Sequence, residues 1–179
     1  PGPEIELELL GRKAVDYYSR RSYPITGKWD LVFKKVEYST AKEIADKAMQ
    51  RFSAGEIDAV YVLYNKFKNV LTQEITLTPL LPILPTNGDS EGASVDYEYE
   101  QPPEQLFATL LPKHVVTQVY QAMLDSAAAE HAARMTAMDS ATRNAGEVLE
   151  KLTLRLNRVR QASITTEIIE IVSGAAALE

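Results

Sequence analysis

The feature that most constrains this chain is the place where its prolines stop. All nine lie at or before Pro112, and the last 67 residues hold none. After Pro112 the only glycines are Gly146 and Gly174, and the residues between are rich in Ala, Leu, Glu, Arg and Gln, all good helix formers. A helix from about Lys113 to Ser173 would measure ~90 Å at 1.5 Å per residue. A compact chain of this length has a radius of gyration of only ~16 Å, so one globule could not contain that helix. Either it breaks or it projects as a rod.

Ahead of Pro112 the pattern changes to alternating short strands and helices. Ile5 to Leu10 reads as a strand ending at Gly11, and Arg12 to Arg21 as a helix. Ser39 and Thr40 are expected to cap a second helix, Ala41 to Ser53, whose apolar stripe of Ile44, Ala45, Ala48, Met49 and Phe52 ends at Gly55. Ile57 to Tyr64 is the strongest strand, and its nearly continuous apolar run suggests cover on both faces. Leu71 to Leu81 follows as a further strand. Residues 1–85 therefore predict the first part of a small α/β domain with few strands. Residues 86–103 form an acidic linker with a possible edge strand at Val95 to Glu100, 104–112 a short closing helix, and 113–179 the long helix.

The long helix carries a seam that can be counted. Met138, Thr142, Ala145, Leu149, Leu152, Leu156 and Val159 recur in alternating steps of four and three, a heptad repeat that predicts left-handed supercoiling against another helix. Thr142 is its polar member, and its hydroxyl can bond back to its own helix. No other segment is long enough to partner this seam.

Charge adds one anomaly. From Lys151 to Thr166 the chain holds Lys151, Arg155, Arg158 and Arg160 and no acid, although the formal net charge is -6. A solvated face mixes signs at four-residue spacing, whereas a band of one sign suits an acidic partner surface. The acidic balance and the lack of interleaved aromatics argue against nucleic acid. Beyond the band, Ile168, Ile169, Ile171, Val172 and Leu178 cover more than one helix face, a composition suited to a tip inserted into an apolar sleeve.

Site chemistry finds little purchase. The histidines His114 and His131 have no metal-ligand spacing and read as helix-surface or seam residues. Thr26-Gly27-Lys28 lacks the glycines of a phosphate loop. Asp96, Glu98 and Glu100 alternate on the possible edge strand and read as a solubilising edge. With no cysteine, disulfides and thiolate metal sites are excluded. No cofactor is expected, and neither an apolar run long enough to span a membrane nor signal-peptide order occurs at Pro1 to Lys13.

The segment from His131 to Leu178, HAARMTAMDSATRNAGEVLEKLTLRLNRVRQASITTEIIEIVSGAAAL, closely resembles the C-terminal helix of the gamma subunit of F-type ATP synthase. GRKAVDYYSRRSYPI and VYVLYNKFKNVLTQEITLTPLLPI look like the α/β domain of the same family. The resemblance implies a Rossmann-like α/β domain, incomplete here, and a long helix forming half of an antiparallel coiled coil. Its other half would be an N-terminal helix, which with the first strand is not found ahead of Pro1.

A mechanical role without catalysis is implied as well. The family's shaft turns inside a ring of alpha and beta subunits, coupling proton-driven rotation of the membrane c-ring to ATP synthesis. The resemblance sets Arg160, Gln161, Thr165, Glu167 and Glu170 at the ring, with Arg155 and Arg158 in the same basic band, and Arg134 lower on the shaft. It implies epsilon and the c-ring as further partners and a peripheral location on the cytoplasmic face of a bacterial inner membrane. The residues alone leave a second reading open, a coiled-coil assembly protein. In isolation the uncovered seam is expected to self-associate or fray.

Overall fold

The computed structural model describes residues 4–30, 35–83 and 102–176. The elements are β1 (Leu7–Leu10), α1 (Arg12–Tyr18), β2 (Ile25–Trp29), α2 (Tyr38–Ser53), β3 (Val60–Phe67), β4 (Gln73–Leu81) and α3 (Pro103–Ala176). They fall into two compact units, one ending at Ala132 and one beginning at Ala133, so α3 contributes to both.

The first unit is α/β. β1 and β2 pair in parallel on either side of α1, while β3 and β4 form a separate antiparallel hairpin. Its core brings Ala41, Ile44 and Ala45 of α2 against Leu80 and Leu81 of β4 and Val115, Val116, Val119 and Met123 of α3. Each fully buried aliphatic side chain of this kind contributes roughly 1.5–3 kcal/mol. The α2 stripe read from spacing is thus the buried face, extended by Ala41. Tyr38 and Tyr120 meet edge to face, their centroids 5.6 Å apart, and tie the start of α2 to α3. At the other end of α2, Gly55 takes φ +72 and donates to Phe52 O at 3.1 Å, while Glu56 N reaches Arg51 O at 3.1 Å. That paired closure satisfies the last carbonyls of the helix and requires the left-handed backbone that glycine adopts without strain.

Several expectations are corrected. β2 was not anticipated. No element was assigned between Arg21 and Ser39, yet Thr26, Gly27 and Lys28 lie in a strand whose parallel pairing with β1 outweighs weak local propensity. β3 is not covered on both faces: Val60 and Val62 pack on the core, whereas Tyr61 is 60% and Leu63 67% exposed. The physical cause is its hairpin. Asn69 Oδ1 accepts from Leu71 N at 3.0 Å and Thr72 N at 2.7 Å, folding the chain back so that β3 pairs antiparallel with one face inward.

α1 and α2 also begin or end elsewhere than expected. α1 stops at Tyr18, not Arg21, where a turn with Arg21 N donating to Tyr18 O at 3.0 Å leads towards Pro24. Ser39 and Thr40 do not cap α2, which begins at Tyr38 with Glu37 ahead of it and no side-chain cap bond. The Glu37 carboxylate is instead taken by Lys35 at 2.7 Å, which holds it below its usual carboxylate range, and Ser39 Oγ donates to it at 3.4 Å.

The short helix and the long helix are one element. α3 passes through Pro112, which lines, with Met49, Phe52, Leu81, Ile83 and Val115, an open apolar pocket of about 300 Å³. Proline there removes one backbone donor and crowds the carbonyl four residues back, a cost that core packing by Val115, Val116 and Val119 offsets. The possible edge strand at Val95 to Glu100, with Asp96, Glu98 and Glu100, lies outside the described residues, as does Leu178.

Candidate functional site on the long helix

The second unit consists of α3 from Ala133 onward, and the whole seam lies within it. In heptad terms Thr142, Leu149 and Leu156 occupy a positions, and Met138, Ala145, Leu152 and Val159 occupy d. All seven are exposed, Leu149 and Leu156 at 67% each, so the seam is uncovered along its length. Thr142 Oγ1 donates to Met138 O at 2.9 Å, the back-bond that lets a hydroxyl sit in an apolar line.

Past Val159 the line changes character. The next a and d positions are Ser163, Thr166, Glu170 and Ser173, all polar, while Ile164, Ile168, Ile169, Ile171 and Val172 fall elsewhere around the helix. Every one of those apolar residues is exposed, from Ile164 at 48% to Ile171 at 72%. The coiled-coil pattern therefore ends near Val159, and the final turns are apolar on other sides.

Arg155 and Arg160 flank the seam at g and e, whereas Lys151 and Arg158 project from c positions further round. Among the described residues none of these four forms an ion pair, in contrast to Arg143, whose Nη2 lies 2.8 Å from Asp139 Oδ2 one turn away. Gln161 and Thr165 lie on the outer side and Thr165 Oγ1 donates to Gln161 O at 2.9 Å. Glu167 sits at an e position, accepting from Ser163 Oγ at 3.2 Å, and Glu170 on the seam line itself. The sequence-selected residues thus split between two sides of one helix. Arg134 is exposed near the start of the unit. His114 and His131 are exposed on α3, and no group of acidic or histidine side chains poised for a metal occurs among the described residues.

Sequence reasoning missed a second surface, in the first unit. Register places Tyr61 opposite Pro79, Leu63 opposite Leu77, and Asn65 opposite Ile75, on one face of the β3–β4 hairpin. Ile75 is 77% and Leu77 61% exposed. The signal was present in the alternation from Gln73 to Pro79, but β3 had been read as buried throughout.

The fold is thus an α/β unit and a long helix whose heptad seam is uncovered. Comparison with known proteins makes this specific. The family model described as ATP synthase matches residues 1–178. The chain is 52% identical over 179 residues to the ATP synthase gamma chain of Solibacter usitatus, covering 99% of this chain and 61% of that one. It is 46% identical to the gamma chain of Pelotomaculum thermopropionicum, covering 98% and 62% respectively. The chain belongs to the ATP synthase gamma-chain family, and spans about three fifths of the length of these relatives. A cryo-EM structure of the central stalk and c-ring of the Tetrahymena thermophila mitochondrial ATP synthase shares the fold, with a TM-score of 0.51, 24% identity, and coverage of 76% of this chain and 60% of that one. No helix among the described residues is long and apolar enough to cross a membrane.

Proposed function

We propose that the chain is the shaft-bearing part of a rotor subunit that couples c-ring rotation to ATP synthesis in a ring of alpha and beta subunits, and that it performs no chemistry itself. The observation that carries this is the change of pattern at Val159. A helix accompanied along its whole length would keep its a and d positions apolar, yet Ser163, Thr166, Glu170 and Ser173 are polar while Ile164, Ile168, Ile169, Ile171 and Val172 lie off the line. A tip surrounded by a sleeve needs apolar cover on several sides, and apolar contacts can slide with few hydrogen bonds to break.

In this reading Lys151, Arg155, Arg158 and Arg160 engage acidic loops of the surrounding ring, with Gln161, Thr165, Glu167 and Glu170 as neighbouring contacts and Arg134 lower on the shaft. The exposed guanidinium groups of Arg155, Arg158 and Arg160, which form no ion pair among the described residues, suit bidentate contacts to carboxylates. The seam takes a helix from the rest of the subunit. The first unit faces epsilon and the c-ring, and the subunit works at the cytoplasmic face of a bacterial inner membrane.

The test is a chimera. The matching three fifths of the Solibacter gamma chain are replaced by this sequence, and the product is mixed with that organism's alpha and beta subunits. Co-migration as one complex on a sizing column is expected. Alpha–beta assemblies that exclude the chimera, while accepting the parent gamma chain, would overturn the reading.

A further inference from the structure

We infer that Leu154, bracketed by Lys151 and Arg158 on the side of α3 opposite the seam, marks where the close-fitting sleeve around the shaft begins, its side chain seated in an apolar hollow rimmed by carboxylates on the alpha–beta ring. This deepens the rotor reading and rests on it.

Leu154 stands where no seam partner reaches. With Leu149 and Leu156 at a it occupies f, about 170° around the helix from the middle of the seam at roughly 100° per residue. A helix laid along Met138 to Val159 covers the other side and leaves Leu154, 60% exposed, uncovered still. The outer positions b, c and f also change character at this residue. Before it they are Arg143, Asn144, Glu147, Glu150 and Lys151, all exposed and polar with both signs of charge, the composition of a solvated face. From Leu154 to Val172 they hold no acid, and Ile164, Ile168, Ile171 and Val172 join Leu154 as apolar members. The solvated outer face thus ends before the seam does. Between Leu154 and Val159, a rise of about 7.5 Å, the helix is apolar towards its partner and already apolar on the far side, as a paired shaft entering a surround requires.

Charge defines the rim. Lys151 precedes Leu154 by three residues and Arg158 follows it by four, the two spacings that set side chains on one helix face. Neither cation forms an ion pair among the described residues, although Glu147 stands four residues from Lys151. A small apolar centre between polar groups is the form of an interface, and its counterpart here is an apolar hollow with a carboxylate at each edge. The arginine edge admits a bidentate bond.

The chain has no cysteine, so Leu154→Cys and Glu147→Cys in the chimera each add one thiol at an f position, read against the same chimera without either. Maleimide labelling of that subunit is timed alone and in complex with alpha and beta subunits. Both thiols are expected to react readily in the free chimera, and assembly to slow Leu154→Cys at least about tenfold while leaving Glu147→Cys within about twofold. Leu154→Ser is expected to weaken assembly roughly tenfold and Leu154→Met to retain it. Lys151→Gln with Arg158→Gln weakens it at low salt and flattens its salt dependence. These side chains are exposed on α3, so the variants leave its fold intact, which helicity by circular dichroism checks. A Leu154→Cys thiol already shielded in the free chimera would show that the rest of the subunit covers it. Equal labelling free and assembled, equal shielding of Glu147→Cys, or full assembly by Leu154→Ser would show that no sleeve contact begins there. Each of these overturns the inference and leaves the rotor reading standing, whereas exclusion of the unsubstituted chimera from the rings overturns the rotor reading and the inference with it.

Discussion

Glu8 on β1 and Lys47 on α2 form an ion pair, Nζ to Oε1 at 3.1 Å, that joins elements 39 residues apart in sequence. The same oxygen accepts from Trp29 Nε1 at 3.0 Å, so one carboxylate fastens α2 and both strands of the parallel pair. Gly27 leaves room for it: a Cβ there would come within 2.5 Å of that oxygen. Glu8→Ala is expected to destabilise the first unit by about 1–2 kcal/mol, since it strands the half-buried indole N–H and removes a partly screened ion pair. Gly27→Ala should lower stability similarly by displacing the carboxylate. Urea unfolding with an unchanged slope checks both.

Pro112 sits inside α3 without ending it. Pro112→Ala restores a backbone donor and relieves the crowded turn, so it should raise stability by roughly 1–3 kcal/mol. Thermal unfolding reads the gain. A loss would mean that the proline ring's place beside Met49, Phe52 and Val115 matters more than the helix it interrupts.

At the hairpin end, Lys68 hydrogen-bonds and attracts Glu74, holding that carboxyl below its usual range of about 4.5. A lowered folded value means stability that is present at neutral pH and lost as pH falls through it. Both side chains are 53% exposed, so the effect is small and salt-sensitive. Comparing urea midpoints at neutral pH and near pH 3, the wild type should lose slightly more stability than Glu74→Gln.

For the basic band, replacing Arg155, Arg158 and Arg160 with Gln in the chimera should weaken its binding to alpha–beta rings by roughly tenfold or more at low salt and flatten the salt dependence. Binding measured at two ionic strengths tests this. Unchanged affinity and salt slope would show that the band faces solvent.

What the sequence made legible was local. The heptad line is a property of spacing within one helix, so Met138 to Val159 could be counted directly, as could the α2 stripe and the role of Gly55. What escaped depended on distant partners. β2 exists because β1 offers it a ladder, and the pairing outweighs Pro24 and Gly27. The sidedness of β3 depends on a hairpin that an apolar run does not encode. Ser39 and Thr40 were good caps by type, but Tyr38 starts the helix because its ring packs on Tyr120, 82 residues away in the chain. The residues from Arg155 to Glu170 were singled out by charge and resemblance, and helical geometry divides them into seam-side and outward groups.

The central claim, that this helix is a rotating shaft, is tested most directly by attaching a bead to the first unit of the chimera in surface-fixed alpha–beta rings and supplying ATP. Stepwise rotation in one direction, stopping when ATP is withdrawn, is the predicted result. Rings that bind the chimera and hydrolyse ATP while the bead only diffuses about a fixed angle would contradict it.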